Sequence, residues 1–84
     1  MEKELKAKVL LVDDEEDFLS TLADRLDTRG LRVNTVTNGE QAVAKAEKEG
    51  FDLIVLDLAM PGMDGLETLR RIKEKQPDAE IIIL

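Results

Sequence analysis

Cysteine and histidine are both absent from the 84 residues. Without cysteine there are no disulfides and no thiolate metal sites. Without histidine there is no Ser-His-Asp triad and no phosphohistidine donor in this chain. A bound metal must then take oxygen ligands, which favours Mg²⁺, Mn²⁺ or Ca²⁺ over zinc. Tryptophan and tyrosine are missing too, and Phe18 and Phe51 are the only aromatics, so the core has to be aliphatic. Positive charge is in deficit, with 12 Lys and Arg against 19 Asp and Glu and a net charge of −7. That leaves no basic surface for phosphate backbones and argues against direct nucleic-acid binding. No apolar run approaches the length of a membrane span, and Met1-Glu2-Lys3-Glu4 lacks the apolar region of a signal peptide. The cytoplasm is the expected compartment.

Hydrophobic residues make up 43% of the chain and charged residues 37%, a soluble, globular balance. The length suits one small domain of marginal stability, burying roughly 60% of its unfolded surface. Lys8-Val9-Leu10-Leu11-Val12 is a short apolar run ending abruptly in acids, the pattern of a strand buried on both faces. From Glu16 to Arg29 the period changes: Phe18, Leu22 and Leu26, with Leu19 and Ala23 beside them, mark one face of a helix that Gly30 stops. Leu31 to Val36 reads as a second strand, diluted by Arg32, Asn34 and Thr35 and therefore placed at an edge. Asn38 caps a second helix whose small inner face is Ala42, Val43 and Ala46, with Gly50 at its end. Phe51 to Leu56 is a third strand closed by Asp57. A loop over 58–64 contains Pro61-Gly62, and Asp64 caps a third helix with inner face Leu66, Leu69 and Ile72. Pro77-Asp78 marks a turn before a fourth strand, Ile81-Ile82-Ile83-Leu84.

Short apolar strands alternating with amphipathic helices, βαβαβαβ, imply a doubly wound parallel sheet with helices on both faces. Right-handed crossovers leave few topologies. The order 2-1-3-4 fits best, because strands 1 and 3 are the most apolar and belong in the middle. In such sheets ligands bind beyond the carboxyl ends of the strands, where the winding reverses. That point falls between strands 1 and 3, and both end in aspartate. Asp13 and Asp14 would then face Asp57 across strands about 4.8 Å apart. Three carboxylates gathered so closely need a counter-charge. Mg²⁺ supplies one, typically held by one or two carboxylates with waters and phosphate oxygens. Taken singly these residues have plainer readings. Asp13 to Asp17 favour a helix N-terminus, and Asp57 suits a turn. Their coincidence at one switch point is what favours a site. Glu67, Arg70, Arg71 and the other charged helix positions read as solvated surface.

Three segments resemble the receiver domain of two-component response regulators. They are Val9-Leu10-Leu11-Val12-Asp13-Asp14-Glu15, Asn38-Gly39-Glu40-Gln41-Ala42, and the specific stretch from Asp52 through Asp57 and Pro61 to Gly65. The resemblance runs from about Ala7 to Leu84. It implies a flavodoxin-like, CheY-like fold, with Asp57 accepting a phosphoryl group from a histidine kinase or phosphotransfer protein. It implies Asp14 as a direct Mg²⁺ ligand, with Mn²⁺ an alternative ion. Asp13 is its partner acting largely through water, and the backbone carbonyl of Ala59 is a third protein ligand. Pro61 and Gly65 resemble residues that shape the loop. Such a domain is a signalling phosphoacceptor that assists its own phosphorylation rather than a turnover enzyme. The family has five strands and five helices. Residues 1–84 therefore read as a partial receiver, without the fifth strand, the last two helices, the hydroxyl residue past strand 4 and the lysine at the end of strand 5. Impaired phosphorylation is the corresponding expectation.

Two other readings compete. A haloacid-dehalogenase-type enzyme also places a nucleophilic aspartate after an apolar strand and uses Mg²⁺, but the second acid it needs two residues on is Ala59 here. A structural reading has the chain persisting as a strand-exchanged oligomer. The bare, apolar edge of strand 4 invites pairing with another copy, so a homo-oligomer is expected.

Overall fold

In the computed structural model, which describes residues 7–59 and 64–84, three helices alternate with four strands. In order these are β1 (Lys8–Val12), α1 (Glu16–Thr28), β2 (Arg32–Val36), α2 (Gly39–Lys48), β3 (Leu53–Leu56), α3 (Gly65–Lys75) and β4 (Glu80–Ile83). All pairings are parallel and the sheet order is β2-β1-β3-β4. The two most apolar strands are central, as their composition requires. Polar β2 is an edge, as expected, and β4 is the other. Pro61 and Gly62 lie outside the described residues.

Alternation along the strands gives the sheet two apolar faces. Leu10, Val12, Ile54 and Leu56 point to one face, where Ala42, Val43 and Ala46 of α2 and Ile72 of α3 cover them. Val9 and Leu11 point to the other, under Leu19, Leu22, Ala23 and Leu26 of α1. Each helix turns a stripe of spacing i, i+3, i+4, i+7 to the sheet. In α1 it is Leu19, Leu22, Ala23 and Leu26; in α2, Gly39, Ala42, Val43 and Ala46; in α3, Gly65, Thr68, Leu69 and Ile72.

Two inner-face expectations need correction. Phe18 is 42% exposed and Leu66 is 63% exposed. Both are one position off their helix's stripe. In α3 the inward first turn belongs instead to Gly65 and Thr68, which a search for large apolar residues passes over.

The helix ends follow local chemistry. Asn38 Oδ1 accepts from the Gln41 N–H at 2.8 Å, and Gln41 Oε1 accepts from the Thr37 N–H at 3.2 Å, a reciprocal cap on α2. Gly30 takes the left-handed region after α1, at φ 89°, where a side chain would be strained. At the amino-terminal side of the sheet the side chain of Gln76 ties three elements together. Its Nε2 donates to the carbonyls of Ala46 at 2.7 Å and Glu49 at 2.6 Å, and its Oε1 accepts from the Phe51 N–H at 3.0 Å. Among the described residues no buried side-chain nitrogen or oxygen lacks a partner. Nor is any described helix long and apolar enough to cross a membrane.

Candidate functional site

The carboxyl ends of β1 and β3 carry the acids. The ladder continues one step past each strand. The Asp57 N–H donates to the Val12 carbonyl at 3.0 Å, and the Asp13 N–H donates to the Val36 carbonyl at 3.3 Å. These bonds fix the backbones of Asp13 and Asp57 at the rim of the sheet rather than in a free loop. Asp13 is 8% exposed, Asp57 is half-buried and Asp14 is exposed. One carboxylate oxygen from each of Asp13, Asp14 and Asp57 lies within 4.8 Å of the others.

Backbone donors orient two of the three acids. Asp13 Oδ1 accepts from the Glu15 N–H at 3.0 Å, a turn that leads into α1. Asp57 Oδ1 accepts from the Ala59 N–H at 2.9 Å. Each carboxylate thus keeps an oxygen outside these bonds. Three like charges in so small a space repel one another, and one of them is nearly buried. With oxygen donors only, such a cluster fits a hard divalent cation better than zinc.

The response regulator receiver domain family matches residues 9–84. The chain belongs to that family. Among curated relatives, this receiver is similar to the alkaline phosphatase synthesis transcriptional regulatory protein PhoP of Bacillus subtilis, at 39% identity. The match covers 95% of this chain and 33% of PhoP, so the receiver spans about a third of that relative's length. Among solved structures, a response regulator from Burkholderia pseudomallei with a phosphorylated aspartic acid, calcium ion and citrate superimposes with a TM-score of 0.88. Identity is 35%, covering 93% of this chain and 46% of that one. The response regulator TrrA of Thermotoga maritima, solved with Mg²⁺ and BeF, gives a TM-score of 0.84 at 39% identity, covering 94% of this chain and 68% of that one. TrrA has also been solved in complex with the histidine kinase ThkA. The fold is the CheY-like parallel sheet of these neighbours, and the chain is a receiver of two-component signal transduction.

The structure brings Asp13, Asp14 and Asp57 together and sets Ala59, exposed, at the end of the segment that follows Asp57. The resemblance implies a loop-shaping role for Gly65 without naming its partner, and in the structure that partner is Leu58. A Cβ on Gly65 would meet the carbonyl oxygen of Leu58 at 2.7 Å. Asp64-Gly65 announces only a turn and a helix start, and nothing in its spacing points back to Leu58.

Proposed function

We propose that Asp57 is the phosphoacceptor of this receiver, with Asp14 a direct Mg²⁺ ligand, Asp13 its water-mediated partner and the Ala59 carbonyl the third protein ligand. Mn²⁺ is an alternative ion. The convergence of the three carboxylates carries this reading. In the step itself a free Asp57 oxygen attacks phosphorus, and the P–N bond of the donor's phosphohistidine breaks. The bonding pair goes to the imidazole nitrogen, and Asp57 becomes an acyl phosphate. When bound, the metal neutralises the oxygens of the transferring group. Asp57 is held by its backbone bond to Val12, so the nucleophile is positioned before the donor arrives.

The donor is a sensor histidine kinase or a phosphotransfer protein, a partner class supported by the kinase complex of TrrA. We read residues 1–84 as part of a receiver domain working in the cytoplasm, a phosphoacceptor rather than a turnover enzyme, with no direct role in nucleic-acid binding. Incubation with acetyl phosphate and Mg²⁺, followed by intact mass, tests the assignment. One phosphoryl group should add to the wild type and none to Asp57→Asn. Equal labelling of both would overturn it.

We also propose that the 84-residue chain self-associates through β4. Glu80 and Leu84 donate their N–H groups to the carbonyls of Asp52, just before β3, and Leu56 of β3. Alternation then turns the N–H and C=O of Ile81 and Ile83 outward. A two-fold axis beside Ile82 pairs Ile81 of one copy with Ile83 of the next, twice, so the edge is self-complementary. The same axis brings the two exposed Ile82 side chains side by side on the α1 face, next to Val55.

A further inference from the structure

Asparagine occurs twice in the chain, as Asn34-Thr35 within β2 and as Asn38-Gly39 where α2 begins. The two pairs differ in chemical exposure. An asparagine side-chain amide is open to attack by the backbone nitrogen of the next residue, which closes a five-membered imide. Glycine hinders this attack least, having no Cβ and the freest backbone. The β-branched Thr35 hinders it more, and Asn34 is held inside the β1–β2 ladder, opposite Leu10.

The folded structure keeps the reacting atoms of Asn38-Gly39 apart. Ring closure needs the Asn38 Cβ and the Gly39 nitrogen nearly eclipsed about the Asn38 Cα–C bond. At φ −153° and ψ 167° they are staggered. Two hydrogen bonds hold that arrangement. The Asn38 carbonyl accepts from the Ala42 N–H at 3.1 Å, which fixes ψ, and Asn38 Oδ1 accepts from the Gln41 N–H at 2.8 Å, which fixes the side chain. Gln41 Oε1 accepts in turn from the Thr37 N–H at 3.2 Å. Gly39 is buried, so its nitrogen is shielded from a base that would take its proton. All these bonds belong to the first turn of α2, and helix ends open locally at less cost than a core.

We propose that Asn38 is a site of spontaneous deamidation whose rate is set by opening of the first turn of α2. In the opened turn the Gly39 nitrogen gives up its proton and attacks Cγ of Asn38. The bond from Cγ to Nδ2 breaks, and Nδ2 departs as ammonia with the equivalent of that proton. Water then adds to one of the two imide carbonyls and opens the ring. One water is consumed, one ammonia is released, and nothing is oxidised or reduced. Attack at one carbonyl leaves aspartate, and attack at the other leaves isoaspartate. The products differ in what they do to α2. Aspartate keeps the cap, since its carboxylate can accept from the same Gln41 N–H and its charge suits a helix N-terminus. Isoaspartate routes the backbone through the former side chain, adding a methylene that moves the cap's acceptor out of register with Gln41.

The test ages the 84-residue chain at mildly alkaline pH under three conditions: folded wild type, wild type unfolded in guanidinium, and folded Gln41→Ala. Intact mass reads the exchange of NH₂ for OH. Peptide mapping separates aspartate from isoaspartate at positions 34 and 38. In guanidinium, conversion at Asn38 should run far ahead of Asn34. Folding should slow it roughly tenfold or more. Gln41→Ala loses the bond to Thr37 and should deamidate several-fold faster than folded wild type. Hydrogen exchange at the Gln41 and Ala42 amides supplies a measure that needs no variant. The folded rate should equal the unfolded rate multiplied by the open fraction that exchange reports. The purified isoaspartate form should melt below wild type, whereas Asn38→Asp should melt with it. Equal rates in the folded and unfolded chains would overturn the proposal, as would Asn34 keeping pace with Asn38 in guanidinium. So would a folded rate that does not follow the open fraction.

Discussion

Replacing Gln76 with alanine should cost this receiver a large share of its stability. The side chain makes three hydrogen bonds, to the carbonyls of Ala46 and Glu49 and from the N–H of Phe51. Each is worth about 1 kcal/mol net, and a buried partner left unsatisfied adds to the loss. Phe51 is buried, whereas Gln76 is only half-buried, so water can replace part of what is removed. The expected cost is about 2–4 kcal/mol. A domain of this size has roughly 4–13 kcal/mol in all. In thermal unfolding followed by circular dichroism, the midpoint should fall by about 10–25 °C. Gln76→Glu sharpens the argument. Its carboxylate can still accept from Phe51 but presents oxygen to two carbonyls, so at neutral pH it should be at least as damaging as alanine. Its folded pKa is raised by those carbonyls. The variant should therefore recover stability as pH falls and the protonated acid donates to one of them. An alanine variant within 0.5 kcal/mol of wild type, or a glutamate variant as stable as wild type at pH 7, would refute the clamp.

Removing Asp14 should abolish the Mg²⁺-induced NMR shifts, and unchanged binding in Asp14→Ala would remove it from the ligand set. Glu49 is paired with Lys45 at 2.8 Å and Lys8 at 2.6 Å, which lowers its pKa from 4.5 to about 2. The stabilisation from these pairs is complete above pH 4.5 and is lost as pH falls through about 2. Glu49→Gln should flatten that limb of the melting profile in low salt, and an unaltered slope would exclude the pairs as its source. Ile82→Lys should convert the self-associated chain to monomer in sedimentation at low micromolar concentration. Wild type sedimenting as a folded monomer would end the β4 interface.

Much of this architecture is legible in the sequence because burial on both faces leaves a plain mark. Val9 to Val12 and Leu53 to Leu56 are unbroken apolar runs, and those two strands take the centre. The site is legible for a related reason: acids at the ends of two such runs must meet if the runs are neighbours. Helix phase was harder to read. Phe18 and Leu66 are apolar and lie near the right period, yet the sheet selects the stripe one residue away. In α3 the first inward positions are held by Gly65 and Thr68; Thr68 looks like a surface residue, and the loop-shaping role that the resemblance implies for Gly65 says nothing of helix phase. Gln76 leaves no local mark at all. A glutamine at a helix end before Pro77 reads as solvated, and only the tertiary approach of α2 and β3 gives it partners. Tertiary hydrogen bonds and close backbone approaches depend on pairs distant in the chain, and residue type alone does not encode them.

The strand order has a consequence for how the chain acquires its structure. Every ladder is parallel, so none can zip up from a hairpin. Val9 must find Leu53, and Leu53 must find Glu80, across intervening helices. Closing such loops carries an entropic cost before any pairing repays it, which slows folding relative to helical bundles of similar length. β1 is one of the two central strands and the first of the four described strands to be synthesised. Until β3 emerges, Val9 to Val12 lack one of the two neighbours that bury them. During that interval a wholly apolar segment of the domain is on offer to chaperones and to other chains. Mutations that slow closure between β1 and β3 should therefore lower the yield of folded protein more than their effect on final stability implies.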